Sequence, residues 1–133
     1  MRWLQSDRFI LMNYSILVCD DSAVARKQVV RCLSKVLDAD VQQANDGVEA
    51  IEQLKSQHVD LLCLDLTMPR LDGVGVLEHI KKDANIETFV IVISADIQPE
   101  MKQRVTQLGA IAFLEKPIDS ARLIELLHRY GIR

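Results

Sequence analysis

No stretch of the 133-residue sequence approaches the roughly 20 consecutive apolar residues a membrane helix requires, so no segment is expected to span a bilayer. Cysteine is scarce. Cys19, Cys32 and Cys63 make an odd count with no C-x-x-C spacing and no secretory signal ahead of them, so they read as reduced, mostly buried thiols of a cytoplasmic protein. Excess positive charge is lacking too: 16 Lys and Arg against 19 Asp and Glu give a net charge of −3. That balance supplies no basic field for gripping phosphate backbones and argues against direct nucleic-acid binding, although a local basic patch stays open. Linkers, repeats and low-complexity stretches are also missing, and 49% apolar with 26% charged residues excludes disorder, collagen and coiled coil. What remains is one globular domain, long enough to bury about two thirds of its unfolded surface without a disulfide or metal staple. Residues 1–11, MRWLQSDRFIL, have neither the apolar stretch nor the cleavage site of a signal peptide. Residues 1–12 therefore read as an extension, flexible or owed to an upstream start codon, ahead of a domain over 13–133.

What is present alternates. Ser15–Cys19 is an apolar run stopped by Asp20-Asp21, and a helix is expected from about Ser22 to Leu37 with Ala25, Val29, Cys32, Leu33 and Val36 on its apolar stripe. Val41–Ala44 is a weak strand candidate, followed by the turn Asn45-Asp46-Gly47 and a helix carrying Val48, Ile51 and Leu54. Val59–Leu66 has the near-continuous apolar character of a strand buried on both faces. A loop, Met68–Gly73, leads to a helix with Val74, Leu77 and Ile80. Phe89–Ile93 is the clearest strand, and Pro99 marks the start of the helix bearing Met101, Val105 and Leu108. Ile111–Leu114 is the fifth strand, and Asp119 is placed to cap a last helix whose Leu123, Ile124, Leu127 and Tyr130 face inward. Five strand-then-helix units with short connections predict a doubly wound α/β fold, a parallel sheet with helices on both faces.

In such sheets ligands sit outside the carboxyl ends of the strands. The predicted strands end in Asp20-Asp21, Asp65, Ser94 and Lys116, so three carboxylates, a hydroxyl and an ammonium should share one rim. Two carboxylates about 4 Å apart repel by about 4 kcal/mol at an effective dielectric near 20, so such a cluster protonates, spreads or binds a cation. Oxygen ligands from carboxylates, a loop carbonyl and water suit Mg²⁺ better than Ca²⁺ or Zn²⁺. A carboxylate beside the metal can then serve as a nucleophile toward phosphorus, with Lys116 and Ser94 meeting the transferring oxygens. Taken singly each residue has a plainer reading: Asp21 as a helix cap, Lys116 as a solvated lysine, Ser94 as a turn residue.

Together, Val18-Cys19-Asp20-Asp21-Ser22, Leu64-Asp65-Leu66-Thr67-Met68-Pro69 with Asp72-Gly73, Ser94-Ala95 and Phe113-Leu114-Glu115-Lys116-Pro117 resemble the receiver domains of two-component response regulators, most closely the single-domain chemotaxis type. The resemblance covers residues 13–131. It implies the flavodoxin-like strand order 2-1-3-4-5 and a signalling switch that catalyses only its own phosphorylation and dephosphorylation. Asp65 would be the phosphoacceptor, and Mg²⁺ would be held by Asp21, by Asp20 mainly through water, by Asp65 and by the Thr67 backbone carbonyl. Ser94 and Phe113 would be the switch pair, Lys116 would meet the phosphoryl oxygens, and the Lys116–Pro117 bond would be cis. The family often has Thr at Ser94 and Tyr at Phe113, and Phe lacks the hydroxyl. Thr67 and Asp96 stand where the family tunes the phosphoryl lifetime. The implied partners are a sensor histidine kinase or phosphotransfer protein and a downstream effector that reads the face of the fourth helix, fifth strand and fifth helix.

Two other functions use similar parts. A haloacid-dehalogenase-type phosphatase needs a second carboxylate two residues after its nucleophile, where Thr67 stands. A flavodoxin-like flavin carrier needs a donor-rich phosphate loop after the first strand, where Asp20-Asp21 would repel the phosphate.

Overall fold

The protein, described as a computed structural model, is defined over residues 14–96 and 98–132. The expectation for residues 1–12 lies outside this range. Five strands, β1 (Tyr14–Cys19), β2 (Ala39–Ala44), β3 (Leu61–Leu64), β4 (Phe89–Ser94) and β5 (Ala112–Glu115), alternate with five helices: α1 (Ala23–Ser34), α2 (Gly47–Ser56), α3 (Gly73–Lys82), α4 (Pro99–Gln107) and α5 (Ser120–Arg129). The sheet is wholly parallel in order β2-β1-β3-β4-β5. It is the doubly wound arrangement that the alternation of elements predicts.

Period-two alternation divides the core between the two faces. Leu17 and Cys19 of β1, Leu62 and Leu64 of β3, and Val90 and Val92 of β4 point to one side, where Ile51, Leu54, Val76, Leu77 and Val105 of α2, α3 and α4 cover them. Ile16, Val18, Leu61, Cys63, Ile91 and Ile93 point to the other, against Val29 and Leu33 of α1 and Leu123, Leu126 and Leu127 of α5. Strand β3 and the Ile16–Cys19 and Val90–Ile93 stretches of β1 and β4 are buried on both faces because each of these positions carries an apolar side chain. The edge strand β2, ADVQQA, keeps polar residues toward solvent.

Element ends differ from the sequence expectation where local hydrogen bonding decides them. Helix α1 stops at Ser34, three residues early, because Val36 and Leu37 both donate their amides to the Leu33 carbonyl, at 3.1 and 2.9 Å, and turn the chain. That turn buries Leu37 and leaves Val36 exposed. Strand β2 begins two residues earlier than expected, since pairing with β1 runs back to Tyr14 and Ala39. On α5 the buried stripe is Leu123, Leu126 and Leu127, at the three-and-four spacing of a helix face, with Ile124 only half-buried. Tyr130 is exposed rather than inward-facing, and its hydroxyl donates to the Ile111 carbonyl at 2.8 Å.

Candidate functional site

Register brings the acidic residues level. Cys19 of β1 pairs with Leu64 of β3, so Asp20 and Asp65, the next residues on each strand, leave the sheet side by side. The Asp65 amide donates to the Cys19 carbonyl at 3.0 Å and locks this alignment. Asp20, Asp21 and Asp65 each offer a carboxylate oxygen, and these atoms all lie within 4.8 Å of one another. Asp20 and Asp65 are buried, while Asp21 is exposed. Ser22, not Asp21, caps α1: its backbone is extended and its hydroxyl accepts the Ala25 amide at 3.2 Å. The plainer reading of Asp21 as the cap is thereby corrected.

Lys116, just past β5, reaches this cluster across the sheet's end. Its Nζ lies 2.6 Å from Asp20 Oδ2 and 3.3 Å from Asp65 Oδ1. The other Asp20 oxygen accepts the Ser22 amide at 2.9 Å, and the Asp20 carbonyl accepts from Arg26 at 2.6 Å. Burial first, and then the Asp20 charge, push the Asp65 carboxyl above the usual carboxylate range, with Lys116 opposing them. For Lys116 burial works against the charged form, but the bond to Asp20 and the charges of Asp65 and Asp20 outweigh it and raise its pKa. The rim is thus an acidic pocket whose charge is partly compensated by one lysine.

Ser94 is buried at the end of β4, its hydroxyl accepting the Asp96 amide at 3.1 Å. Phe113, one strand over, is half-buried, with the Lys102 ammonium of α4 5.5 Å from its ring centre. The Lys116–Pro117 peptide bond is cis. Thr67 is exposed in the loop after β3. Gly73 closes that loop, its amide donating to the Leu66 carbonyl at 2.9 Å. A methyl at Gly73 would overlap the Asp65 carbonyl oxygen and stand 2.8 Å from Leu66 Cα, so the absent side chain is what lets α3 begin against the strand end.

Sequence reasoning passed over Asp46 and Arg70. Arg70 has φ of +65°, a left-handed conformation uncommon for a residue with a side chain. Its Nε and Nη2 meet the two Asp46 carboxylate oxygens at 2.8 and 3.1 Å. Asp46 also caps α2 by accepting the Glu49 amide at 2.9 Å, and Arg70 holds its carboxyl below the usual range. The sequence carried one signal, an Asp-Gly turn before a helix, but nothing that pairs it with an arginine 24 residues on.

Parallel topology, an acidic trio at the strand ends and a lysine just past the last strand give a doubly wound α/β fold with a carboxylate cluster at the carboxyl edge of its sheet. The chain belongs to the response regulator receiver domain family, whose model matches residues 16–128, and it is CheY-like. It is 33% identical over 118 residues to the chemotaxis protein CheY of Bacillus subtilis, covering 89% of this chain and 98% of that one. It is 40% identical over 114 residues to protein-glutamate methylesterase/protein-glutamine glutaminase 5 of Myxococcus xanthus, covering 84% of this chain but only 33% of the relative's length. Among solved structures, a response regulator receiver protein from Pseudomonas putida superposes with a TM-score of 0.78 at 31% identity, covering 88% of this chain and 97% of that one. The CheX–CheY–BeF₃–Mg²⁺ complex from Borrelia burgdorferi matches with a TM-score of 0.81 at 28% identity, covering 88% of this chain and 89% of that one. Receiver domains are signalling switches that work with histidine kinases and effectors, and the family binds Mg²⁺ at an acidic pocket. No helix among the described residues is long and apolar enough to cross a membrane.

Proposed function

We propose that the chain is a phosphorylation-driven switch in which Asp65 accepts a phosphoryl group from the phosphohistidine of a sensor kinase or phosphotransfer protein. One observation carries the reading: three carboxylates from two adjacent strand ends, within 4.8 Å, share their rim with a single lysine. Asp20, Asp21 and Asp65, with the Thr67 backbone carbonyl, are the hard oxygen donors that would hold Mg²⁺, and their crowding gives the cation a reason to bind. When bound, Mg²⁺ supplies positive charge to the carboxylates and to the phosphoryl oxygens.

In the transfer, an Asp65 oxygen bonds to phosphorus as the phosphorus–nitrogen bond to histidine breaks, and the imidazole leaves with the electron pair. Lys116 opposes the upward push of burial and of the Asp20 charge on the Asp65 carboxyl, and afterwards its ammonium pairs with a phosphoryl oxygen. The Ser94 hydroxyl turns to the new phosphoryl group and releases the Asp96 amide, which loosens the start of the segment before α4. Phe113 then changes rotamer beneath Lys102, altering the face of α4, β5 and α5 for an effector. The Mg²⁺ and beryllofluoride bound by the Borrelia relative, and the chemotaxis relatives, support this reading.

Incubation with acetyl phosphate and Mg²⁺ should give one phosphoryl adduct per chain by intact mass, mapped to the peptide containing Asp65. Chelation of Mg²⁺ should suppress it. Stoichiometric labelling elsewhere, or undiminished labelling in chelator, would overturn the assignment.

A further inference from the structure

The loop from Asp65 to Gly73 is anchored at both ends by backbone hydrogen bonds, Asp65 to Cys19 and Gly73 to Leu66. Its middle is held differently. Met68 is buried against Cys19, whose Sγ stands 3.3 Å from Met68 Sδ. The Leu71 carbonyl accepts the Gly47 amide at 3.1 Å, and a methyl at Gly47 would overlap that carbonyl oxygen. Arg70 lies between these two contacts and grips Asp46 with two parallel bonds. Asp46 in turn accepts the Cys19 thiol on its own carbonyl at 3.3 Å. The contacts therefore close a ring: Cys19 beside Asp20, then Asp46, Arg70 and the loop that returns to Asp65. Asp65 and the Thr67 carbonyl lie on this ring, and Asp20 is next to it.

Thr67, whose backbone carbonyl is one of those donors, is exposed and lies between the Asp65 anchor and the Arg70 clamp. The left-handed backbone at Arg70 is disfavoured for any residue but glycine, asparagine or aspartate, yet the site carries a long side chain that spans to another helix. With the Arg70 side chain 56% exposed, the ion pair adds little to stability, so its consequence is geometric. We propose that Arg70 is a positioning residue for the cation site: by clamping Asp46 it fixes the loop after β3, and with it the Thr67 carbonyl, and so sets how tightly Mg²⁺ is held. The inference rests on the acidic rim being the Mg²⁺ site of a phosphoacceptor.

Two variants isolate the clamp. Asp46→Asn keeps an oxygen to cap α2 but removes the charge that Arg70 grips. Arg70→Gly removes the guanidinium and relieves the left-handed strain, so it should fold. Mg²⁺ titrations of the full chain followed by amide resonances should show roughly tenfold weaker binding in each variant, as for loss of an outer-shell partner. Amide exchange at Thr67, Met68 and Leu71 should quicken in both, and the double variant should be no weaker than either single one. Arg70→Lys should fall between, because an ammonium lacks the two-pronged fork. Native-like Mg²⁺ affinity and loop exchange in both single variants would overturn the clamp while leaving the phosphoacceptor reading intact, as would losses that multiply in the double variant. Failure of the native chain to bind Mg²⁺ would overturn both.

Discussion

Asp65→Asn should take up no phosphoryl group from acetyl phosphate and Mg²⁺, and near neutral pH it should unfold at a higher urea midpoint than the native chain. The first result follows from nucleophilicity, because a neutral amide oxygen does not attack phosphorus as a carboxylate does. Neither neighbour substitutes: Asp20 already accepts from Ser22 and Lys116, and Asp21 is exposed to water. The second follows from burial. The folded pKa of Asp65 lies above its unfolded value, so ionising it weakens the fold. That penalty is absent below the unfolded pKa and complete once pH has risen through the folded one. The midpoints of the two proteins should therefore converge in acid and separate toward neutrality. Intact mass spectrometry and urea titrations at a series of pH values test both parts, and a persistent adduct in the variant would refute the nucleophile assignment.

Lys116→Met should lose about 2–3 kcal/mol of stability in chelator, and Mg²⁺ should restore most of it. Methionine retains much of the apolar stem while leaving Asp20 and Asp65, both buried, without their shared cation. Breaking a buried ion pair by deleting one partner costs about 3–5 kcal/mol, and the partial exposure of Lys116 lowers that figure. A ligand at about 100 times its dissociation constant returns about 2.7 kcal/mol by mass action, and the variant should bind Mg²⁺ more tightly because no ammonium competes for the carboxylates. A lysine that was merely solvated would change stability by no more than about 0.5 kcal/mol, with no dependence on Mg²⁺. Denaturant titrations with and without Mg²⁺ decide between them.

The fold was readable because its strands are apolar runs that stop at polar rims. Phe89–Ile93 and Leu61–Leu64 hardly admit another reading, and the rule that ligands gather at the carboxyl ends of parallel strands brought Lys116 to Asp20 across 96 residues. Legibility failed where contacts are aperiodic. Val36 and Tyr130 sit on apolar stripes extended one turn too far, and only the 3.1 Å bond from Val36 to Leu33 and the Tyr130 hydroxyl bond show why the helices turn away from the core. The Asp46–Arg70 pair was invisible for a different reason: it joins two loops, where no spacing predicts which side chains meet. Positive φ at Arg70 is likewise a property of the folded loop, since its sequence neighbours, Pro69 and Leu71, do not demand it.

The division of the core into two layers has a chemical consequence. Cys19 and Cys63 lie on neighbouring strands but face opposite layers, and burial pushes both thiols up to about 12. Thiols so deeply buried and held in the protonated form should be alkylated through opened conformations. Cys32, half-buried on α1, remains as the internal reference for reagent strength. The rates at which iodoacetamide consumes Cys19 and Cys63 are therefore two separate clocks, one for the lifting of α2, α3 and α4 and one for the lifting of α1 and α5.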